Sequence, residues 1–537
     1  MPTILAMIAA IKSTMYGIAL MSLGPPGNSG GAVSSQRTTG SLLSLSTPLR
    51  NKGGEKMSQP RLRLYPPHLD TPLTRIQAEK LISDPENISH HAFLPFLQRN
   101  QQWTKFAPKG TKLAQVKKKE RPIRYASRRD SYIFSYFRNQ LSPLYEAELR
   151  RLGLQDCVLA YRRIPIKGGR GGKCNIHFAR EAFETIRSFG DCYVFALDIL
   201  KFFENLDHER VRQLWCRLLA QPPDQRGRQR LPNHHFKAYK AVTDYSFIDV
   251  NCAYKKLGLI GEKLTPSGKK SVGYLKSRKD FPLQICSPKV FREKLTGIIE
   301  HNPNPFGIPQ GSPISDLLAN LYMIEFDHKM NGDVLARGGR YFRYSDDILI
   351  VLPAPHQDWQ ELISQVEDAL TKNAPRLSVN KEKTQVYHYQ TLCDDTGQSH
   401  KILNCPKGPD GLEYLGFRYD GRHVYLRNST VSGIQRKIAS VANRLARRHI
   451  KKNPAMGLQQ LIDSFNYSLL ISKFGRVKDF DSSGKTYTDW TFWTYVVRSI
   501  AIFGDLGKPI SRQFGSYKSF AKKKAKEAIV FFLKHRT

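Results

Sequence analysis

The sequence predicts an α+β protein, and three observations carry that expectation. The stretch Tyr341-Phe-Arg-Tyr-Ser-Asp-Asp-Ile-Leu-Ile-Val351 flanks Ser345-Asp346-Asp347 with apolar and aromatic residues, the pattern of a strand, an acidic tip and a buried strand. Tyr193-Val-Phe-Ala-Leu-Asp198 is a second apolar strand that ends on an acid. Trp359, Leu362, Ile363, Val366, Ala369 and Leu370 then recur at helical spacing, as a core face packed under a sheet requires.

Two adjacent carboxylates at a hairpin tip repel each other and are costly beside an apolar core unless a cation compensates them. Alone, Asp346-Asp347 reads as a solvated turn. Asp198 overturns that reading, because three acids at the ends of apolar strands can hold two hard divalent cations on oxygen ligands.

The length of 537 residues allows about three or four domain-sized units. A hydrophobic content of 40% supports sizeable cores and argues against global disorder. Lys and Arg number 84 against 46 Asp and Glu, a formal net charge of +38 that calls for a polyanionic partner. Nucleic acid fits better than a membrane surface, because the charge is spread over the whole chain. The eight cysteines form no Cys-x-x-Cys pair, which argues against a zinc ribbon and against a dense disulfide framework. A reducing, cytoplasmic compartment is the expectation.

Along the chain, residues 1–56 combine a moderately apolar stretch, Ile4 to Leu23, with Gly/Ser/Thr-rich sequence. They read as an extension of little structural weight, with Met57 an alternative start. Lys12, Ser13, Thr14 and Gly17 interrupt the apolar run and weaken a membrane-anchor reading. Thr74 to Ile82 has helical spacing. Lys105 to Arg129 concentrates positive charge suited to phosphate contact, and Tyr132, Phe134, Tyr136 and Phe137 follow as a core helix face. Tyr161 to His177 carries a Gly-rich loop with Arg and Lys that fits close approach to a phosphate, although it matches neither a P-loop nor a dinucleotide fingerprint. Phe178 to Ser188 reads as a helix, and 207–301 as a long Lys-rich insertion without a sharp function. Adjacent His234 and His235 diverge on a helix and make a poor metal pair.

In Phe306-Gly-Ile-Pro-Gln-Gly-Ser-Pro-Ile-Ser-Asp-Leu-Leu-Ala-Asn320, Ser312 and Pro313 predict a capped helix start. Ile314, Leu317, Leu318 and Leu321 predict its buried stripe, while Gly307 and Gly311 keep the preceding turn slim enough for a nucleotide to lie against the backbone. From Val431 the chain becomes helical and basic, with Ile434, Ile438, Val441 and Leu445 on its apolar side.

Tyr344-Ser345-Asp346-Asp347 resembles the Tyr-x-Asp-Asp box of reverse transcriptases, and the neighbouring boxes agree in order and spacing over roughly residues 100–430. They are the strand ending at Asp198, the Phe306–Asn320 box, Asn380-Lys-Glu-Lys383-Thr384 and Glu413-Tyr-Leu-Gly-Phe-Arg-Tyr419. The resemblance implies a right-hand polymerase fold: fingers within 57–190, an antiparallel palm backed by helices over 191–424, and a basic helical thumb and tail over 425–537. It implies two Mg²⁺ ions held by Asp198, the Ile199 carbonyl, Asp346 and Asp347, and Lys383 protonating or neutralising the departing pyrophosphate. Phe203 falls where the family places a steric gate against the ribose 2′-hydroxyl; Gln310, with Gly311 beside it, would contact the incoming nucleotide. Arg162, Arg163 and Lys173 are the candidates for the triphosphate, and Tyr414, Phe417 and Tyr419 for support of the primer end. The thumb would track the phosphates of a template–primer duplex.

The implied activity is RNA-directed DNA synthesis, with RNA template, DNA product and dNTPs as partners and no membrane. No nuclease-like or RNase H-like segment is apparent after the thumb. The Arg121–Asp130 block and the Gly168–Lys173 loop look like bacterial defence-associated reverse transcriptases of the unknown groups, which implies a non-coding RNA or partner protein. A retron enzyme is second: Val431-Ser-Gly433 approximates its Val-Thr-Gly signature, but no clear Asn-Ala-x-x-His element is present. The remaining alternatives are untemplated or protein-primed synthesis on the same palm, and a catalytically silent RNA-binding protein. The complete set of acids with Gln310 and Lys383 speaks against silence.

Overall fold

The computed structural model describes residues 67–104, 118–169, 171–264, 270–276, 280–354, 358–393, 397–404, 410–475 and 491–535. The expected extension 1–56, the charges from Lys105 to Lys117, and Arg536 lie outside them.

Strand Cys192–Asp198 is apolar along nearly its whole length because both of its faces are covered. It pairs antiparallel with Asp347–Pro353 on one side and with Gln385–Thr391 on the other. Arg340–Tyr344 and Gln398–Asn404 complete a five-stranded sheet at its two edges. Phe195, Leu197, Ile348, Ile350 and Leu352 pack toward the helices Ser315–Tyr322, Ile324–Ala336 and Trp359–Asn373. Val194, Leu349, Val351, Tyr387 and Tyr389 pack the other way, against helix Asn175–Phe189 and a small sheet of Leu412–Tyr414, Phe417–Tyr419 and Val424–Leu426. Beyond the outer strand, Val158 bridges Arg343, with Leu159 N donating to the Arg343 carbonyl at 2.9 Å and Arg343 N to the Cys157 carbonyl at 2.8 Å.

The fingers sheet joins Phe96–Thr104 and Lys118–Tyr125 to two short strands, Ser246–Asp249 and Glu300–His301. Segment 207–301 is therefore woven into the fold and is not a free-standing insertion. Leu214, Trp215, Ala238 and Val242 belong to the main core, whereas Val250, Tyr254, Leu259 and Ile285 form a separate cluster with Leu97 of the fingers. His235 accepts a hydrogen bond from the Trp215 indole at 3.2 Å and is buried, as a core histidine.

In the thumb, helix Asn428–Lys452 buries Ile434, Ile438, Val441, Ala442, Ala446 and Ile450, in one core cluster with Ala521, Ala525, Ala528 and Ile529 of helix Tyr517–Lys534. Arg436, Arg444, Arg447, Arg448, Lys451 and Lys452 remain exposed. Small residues on the later helix let the two long helices approach closely. The order fingers, palm, thumb and the antiparallel palm make this a right-hand polymerase fold. No helix among the described residues is long and apolar enough to cross a membrane.

One local expectation fails. The helix after the Gly-rich turn starts at Ser315, and the Ser312 hydroxyl is buried without a partner instead of capping it. Ser312 to Ile314 form turns, so Pro313 precedes the helix.

Candidate active site

The palm sheet brings the three predicted acids together from two strands. Asp198 ends the central strand directly opposite Asp347, and Asp346 lies in the two-residue loop between the paired residues Tyr344 and Asp347. The Ile199 N–H donates to the Asp346 carbonyl at 3.0 Å, which ties the first acidic strand to the tip. Like charges directly opposite on antiparallel strands are unfavourable. Burial pushes the Asp347 carboxyl up to about 7, with Asp346 and then Asp198 adding repulsion. Asp346 is raised as well, chiefly by burial and then by Asp198, while Arg121 and Lys383 oppose the shift.

A carboxyl raised on folding binds its proton more tightly in the folded state, so its contribution is complete below about pH 4 and is lost as pH rises through about 7. In chelator, stability should therefore fall over that window by an amount on the order of 4 kcal/mol. Asp347→Asn should flatten the slope in denaturant titrations, and parallel slopes in wild type and variant would remove Asp347 as its source.

Asp198 is committed elsewhere. Its Oδ1 lies 2.5 Å from Lys383 Nζ, its Oδ2 accepts from Asn380 Nδ2 at 3.1 Å, and its carbonyl accepts from Asn380 N at 2.7 Å. No three His, Cys, Asp or Glu side chains among the described residues are already grouped to hold a metal ion. The donor chemistry nevertheless fits a hard divalent cation. The three side chains offer only oxygen, and two of them are destabilised as anions by burial and by one another. Lys383, half exposed, stands where a cation is needed. Its replacement by alanine should tighten Mn²⁺ uptake by the free protein about two- to fivefold, the scale of a partly exposed ion pair. Unchanged or weaker uptake in calorimetry would refute this competition.

The tip is pinned from behind by a charge that the sequence reading did not single out. Arg343 is fully buried and meets Asp327 of helix Ile324–Ala336 through two bonds of 2.6 Å. Its Nη1 also donates to Asn320 Oδ1 and to the Ser345 carbonyl, each at 3.1 Å. The Tyr341 hydroxyl donates to Asp327 at 2.7 Å. An arginine inside the aromatic run Tyr341–Tyr344 was the available signal, because a buried guanidinium requires a buried acid.

The basic candidates separate by what they already touch. Arg162 is buried, and its guanidinium is consumed by Glu146 at 2.7 and 2.9 Å and by the Gln155 and Val158 carbonyls. That argues against its expected role at the triphosphate, since the bonds already made use four of its five N–H donors and hold the guanidinium in place. Lys173 pairs with Glu181. Arg163 is exposed and has no partner among the described residues. Arg121, on strand Lys118–Tyr125, lies near enough to lower Asp346, which makes it the basic finger residue closest in effect to the acids.

Gly307 and Gly311 are slim for a different reason from the one expected. A Cβ on Gly311 (φ 121°) would stand 2.6 Å from the Arg124 carbonyl oxygen, and one on Gly307 (φ 88°) would stand 2.9 Å from that of Glu204. Arg124 N in turn donates to the Gln310 carbonyl at 2.9 Å. These glycines seat the turn against fingers and palm backbone, so Gly311→Ala should cost about 1–3 kcal/mol in a melting experiment. A neutral variant would show that the seam can open. Gln310 is half-buried on this turn. Phe203 is joined to the same loop through its carbonyl, which accepts from Ile308 N at 2.9 Å. Phe202 and Phe203 are both buried in the main core, ring against ring at 5.4 Å.

Tyr414, Phe417 and Tyr419 face the protein interior, not the site expected for a primer end. All three are buried in the second core cluster, so they brace the hairpin from within and offer no open ring face to a primer. Leu415 and Gly416 both take positive φ between the paired Tyr414 and Phe417, the geometry of a tight two-residue hairpin. Asn175 Nδ2 holds the Leu415 carbonyl at 3.0 Å.

Comparison with known proteins gives one family match and several distant structural likenesses. Residues 279–419 match the family described as reverse transcriptase (RNA-dependent DNA polymerase). A search of curated proteins gives no match. Among solved structures, the apo telomerase of Candida tropicalis truncated from its C-terminal domain aligns at 12% identity and TM-score 0.31, over 61% of this chain and 57% of that one. The chain thus spans under two thirds of that relative's length. Candida albicans telomerase in complex with a TWJ fragment of telomeric RNA aligns at 11% identity and TM-score 0.34, over 83% and 67%. Scores this low add nothing to what the sheet topology already shows. The family match spans the Gln310–Gly311 turn, the acidic tip, Lys383 and the buried hairpin, but not Asp198 or the fingers strands. Over residues 279–419 the chain is similar to the reverse transcriptase (RNA-dependent DNA polymerase) family.

Proposed function

We propose that the protein is an RNA-directed DNA polymerase that extends a 3′ end with deoxynucleotides. The observation that carries this reading is the meeting of Asp198, Asp346 and Asp347 where neighbouring palm strands end. Asp198, Asp346 and Asp347, with the Ile199 carbonyl, would hold two Mg²⁺ ions. Divalent cations at such a site activate the attacking hydroxyl and neutralise the departing pyrophosphate.

The rest falls to the chain itself, since phosphoryl transfer is catalysed mainly by positioning and charge. Lys383, paired with Asp198 in the free protein, would be the cation that neutralises or protonates the leaving group. Arg121 and the exposed Arg163 are the cations for the triphosphate. Gln310 orients the nucleotide, and Phe203, at the seam of the same loop, is the candidate gate against a ribose 2′-hydroxyl. The exposed thumb arginines and lysines track the duplex phosphates.

We place the enzyme among bacterial defence-associated reverse transcriptases, on the resemblance of its Arg121–Asp130 block and Gly-rich loop; a dedicated RNA or protein partner belongs to that reading. The retron reading is second, and rests on Val431-Ser-Gly433. The test is incorporation of labelled dNTPs by purified protein with Mg²⁺, on a primed RNA template, on co-purifying nucleic acid, and without template. RNA-dependent incorporation supports the proposal. Label that appears without template, or on the protein itself, favours untemplated or protein-primed synthesis.

A further inference from the structure

Two residues next to the acids hold backbone conformations that side chains other than glycine rarely adopt, and they touch each other. Ser345 (φ 61°) opens the loop that carries Asp346, and Tyr161 (φ 63°) lies on the strap beside the outer palm strand. Their hydroxyls are 3.0 Å apart. Such conformations persist only where the surroundings over-determine them, and they concentrate at working sites.

The surroundings do over-determine them. The Tyr161 carbonyl accepts from Arg138 Nη2 at 3.1 Å, and Arg138 grips Asp316 through bonds of 3.0 and 2.9 Å. The preceding carbonyl, of Ala160, accepts from Asn320 Nδ2 at 2.8 Å, while Asn320 Oδ1 accepts from Arg343, the same guanidinium that holds the Ser345 carbonyl. Tyr161 and the tip are thus two ends of one closed hydrogen-bonded ring, and the Tyr161–Ser345 contact closes it on the side of the acids. Burial keeps the Tyr161 phenol protonated, pushed up to about 12, and the nearby Asp346 adds to the shift.

We propose that Tyr161 is a positioning residue for the acidic tip: its hydroxyl, bonded to Ser345, fixes the height and direction of Asp346 and so the fit of the acids to a divalent cation. It rests on the polymerase reading for its effect on rate, but not for its effect on metal affinity. Tyr161 touches no reacting atom and acts through Ser345. Outer-shell partners of ligating carboxylates usually govern affinity or rate by about 10- to 100-fold.

The test compares Tyr161→Phe, which removes one oxygen, with Ser345→Ala and the double variant. Melting temperature, Mn²⁺ affinity of the free protein by calorimetry, and kcat and KM for dNTP are measured for each. Tyr161→Phe should melt like wild type, bind Mn²⁺ about 10-fold more weakly, and lose about 10- to 100-fold in kcat with little change in KM. The double variant should be no worse than the worse single variant, because both remove the same bond. Wild-type Mn²⁺ affinity in a stably folded Tyr161→Phe would overturn the proposal, as would losses that multiply in the double variant. If wild type incorporates no dNTP, the polymerase reading fails, and the Mn²⁺ titration alone decides the role of Tyr161.

Discussion

Asp346→Asn should lower deoxynucleotide incorporation by about 10³-fold or more while leaving affinity for a primer–template unchanged. The loss is that of an electrostatic stabiliser in a site where charge placement supplies most of the catalysis. Binding survives because the exposed basic surfaces of the thumb lie on helices remote in sequence from the tip. The same variant should be no less stable than wild type in chelator, and more stable above neutral pH. Asparagine fits the same loop and removes a carboxylate that burial and Asp198 already disfavour. Activity and stability thus pull in opposite directions at this residue. A variant that loses activity together with melting temperature would mean that Asp346 is structural.

Asp327→Ala should be the most damaging single change in the core behind the site. Arg343 and Asp327 are both fully shielded from solvent, and removal of the acid leaves a buried guanidinium without a counter-charge. Breaking such a pair typically costs about 3–5 kcal/mol, which corresponds to a fall in melting temperature on the order of 10 °C. Asp327→Leu with Arg343→Met should recover much of that stability, because a buried ion pair and an apolar pair of similar volume often balance. It should not recover polymerase activity, since the Ser345 carbonyl and Asn320 then lose the donor that holds them. Recovery of both would show that the pair serves only the core.

The acids were legible in the sequence because Asp198 and Asp347 stand at the ends of strands whose apolar runs are long, and Asp346 adjoins one of them; pattern reading is strongest there. The buried stripe from Ile314 to Leu321 and the thumb stripe from Ile434 to Val441 were legible for the same reason. What escaped depended on partners distant in sequence. Arg162 looked free to meet a phosphate, but its carboxylate, Glu146, belongs to the preceding helix. Gly311 signalled an unusual turn correctly, while the backbone it clears, that of Arg124, lies on a fingers strand. Tyr414 to Tyr419 showed an aromatic hairpin but not which faces it buries. In segment 207–301, strand Ser246–Asp249 is too short for its period to show, and it pairs with Phe96–Gln98 far upstream. The left-handed conformations of Tyr161 and Ser345 have no sequence signal, because neither residue type prefers them.

The most direct test of RNA-directed synthesis is the sequence of the DNA product made by the purified protein on a primed RNA of defined, mixed sequence. Product complementary to that RNA, absent with Asp346→Asn, is the expected result. Product unrelated to the RNA, or ribonucleotides incorporated as readily as deoxynucleotides, would contradict it.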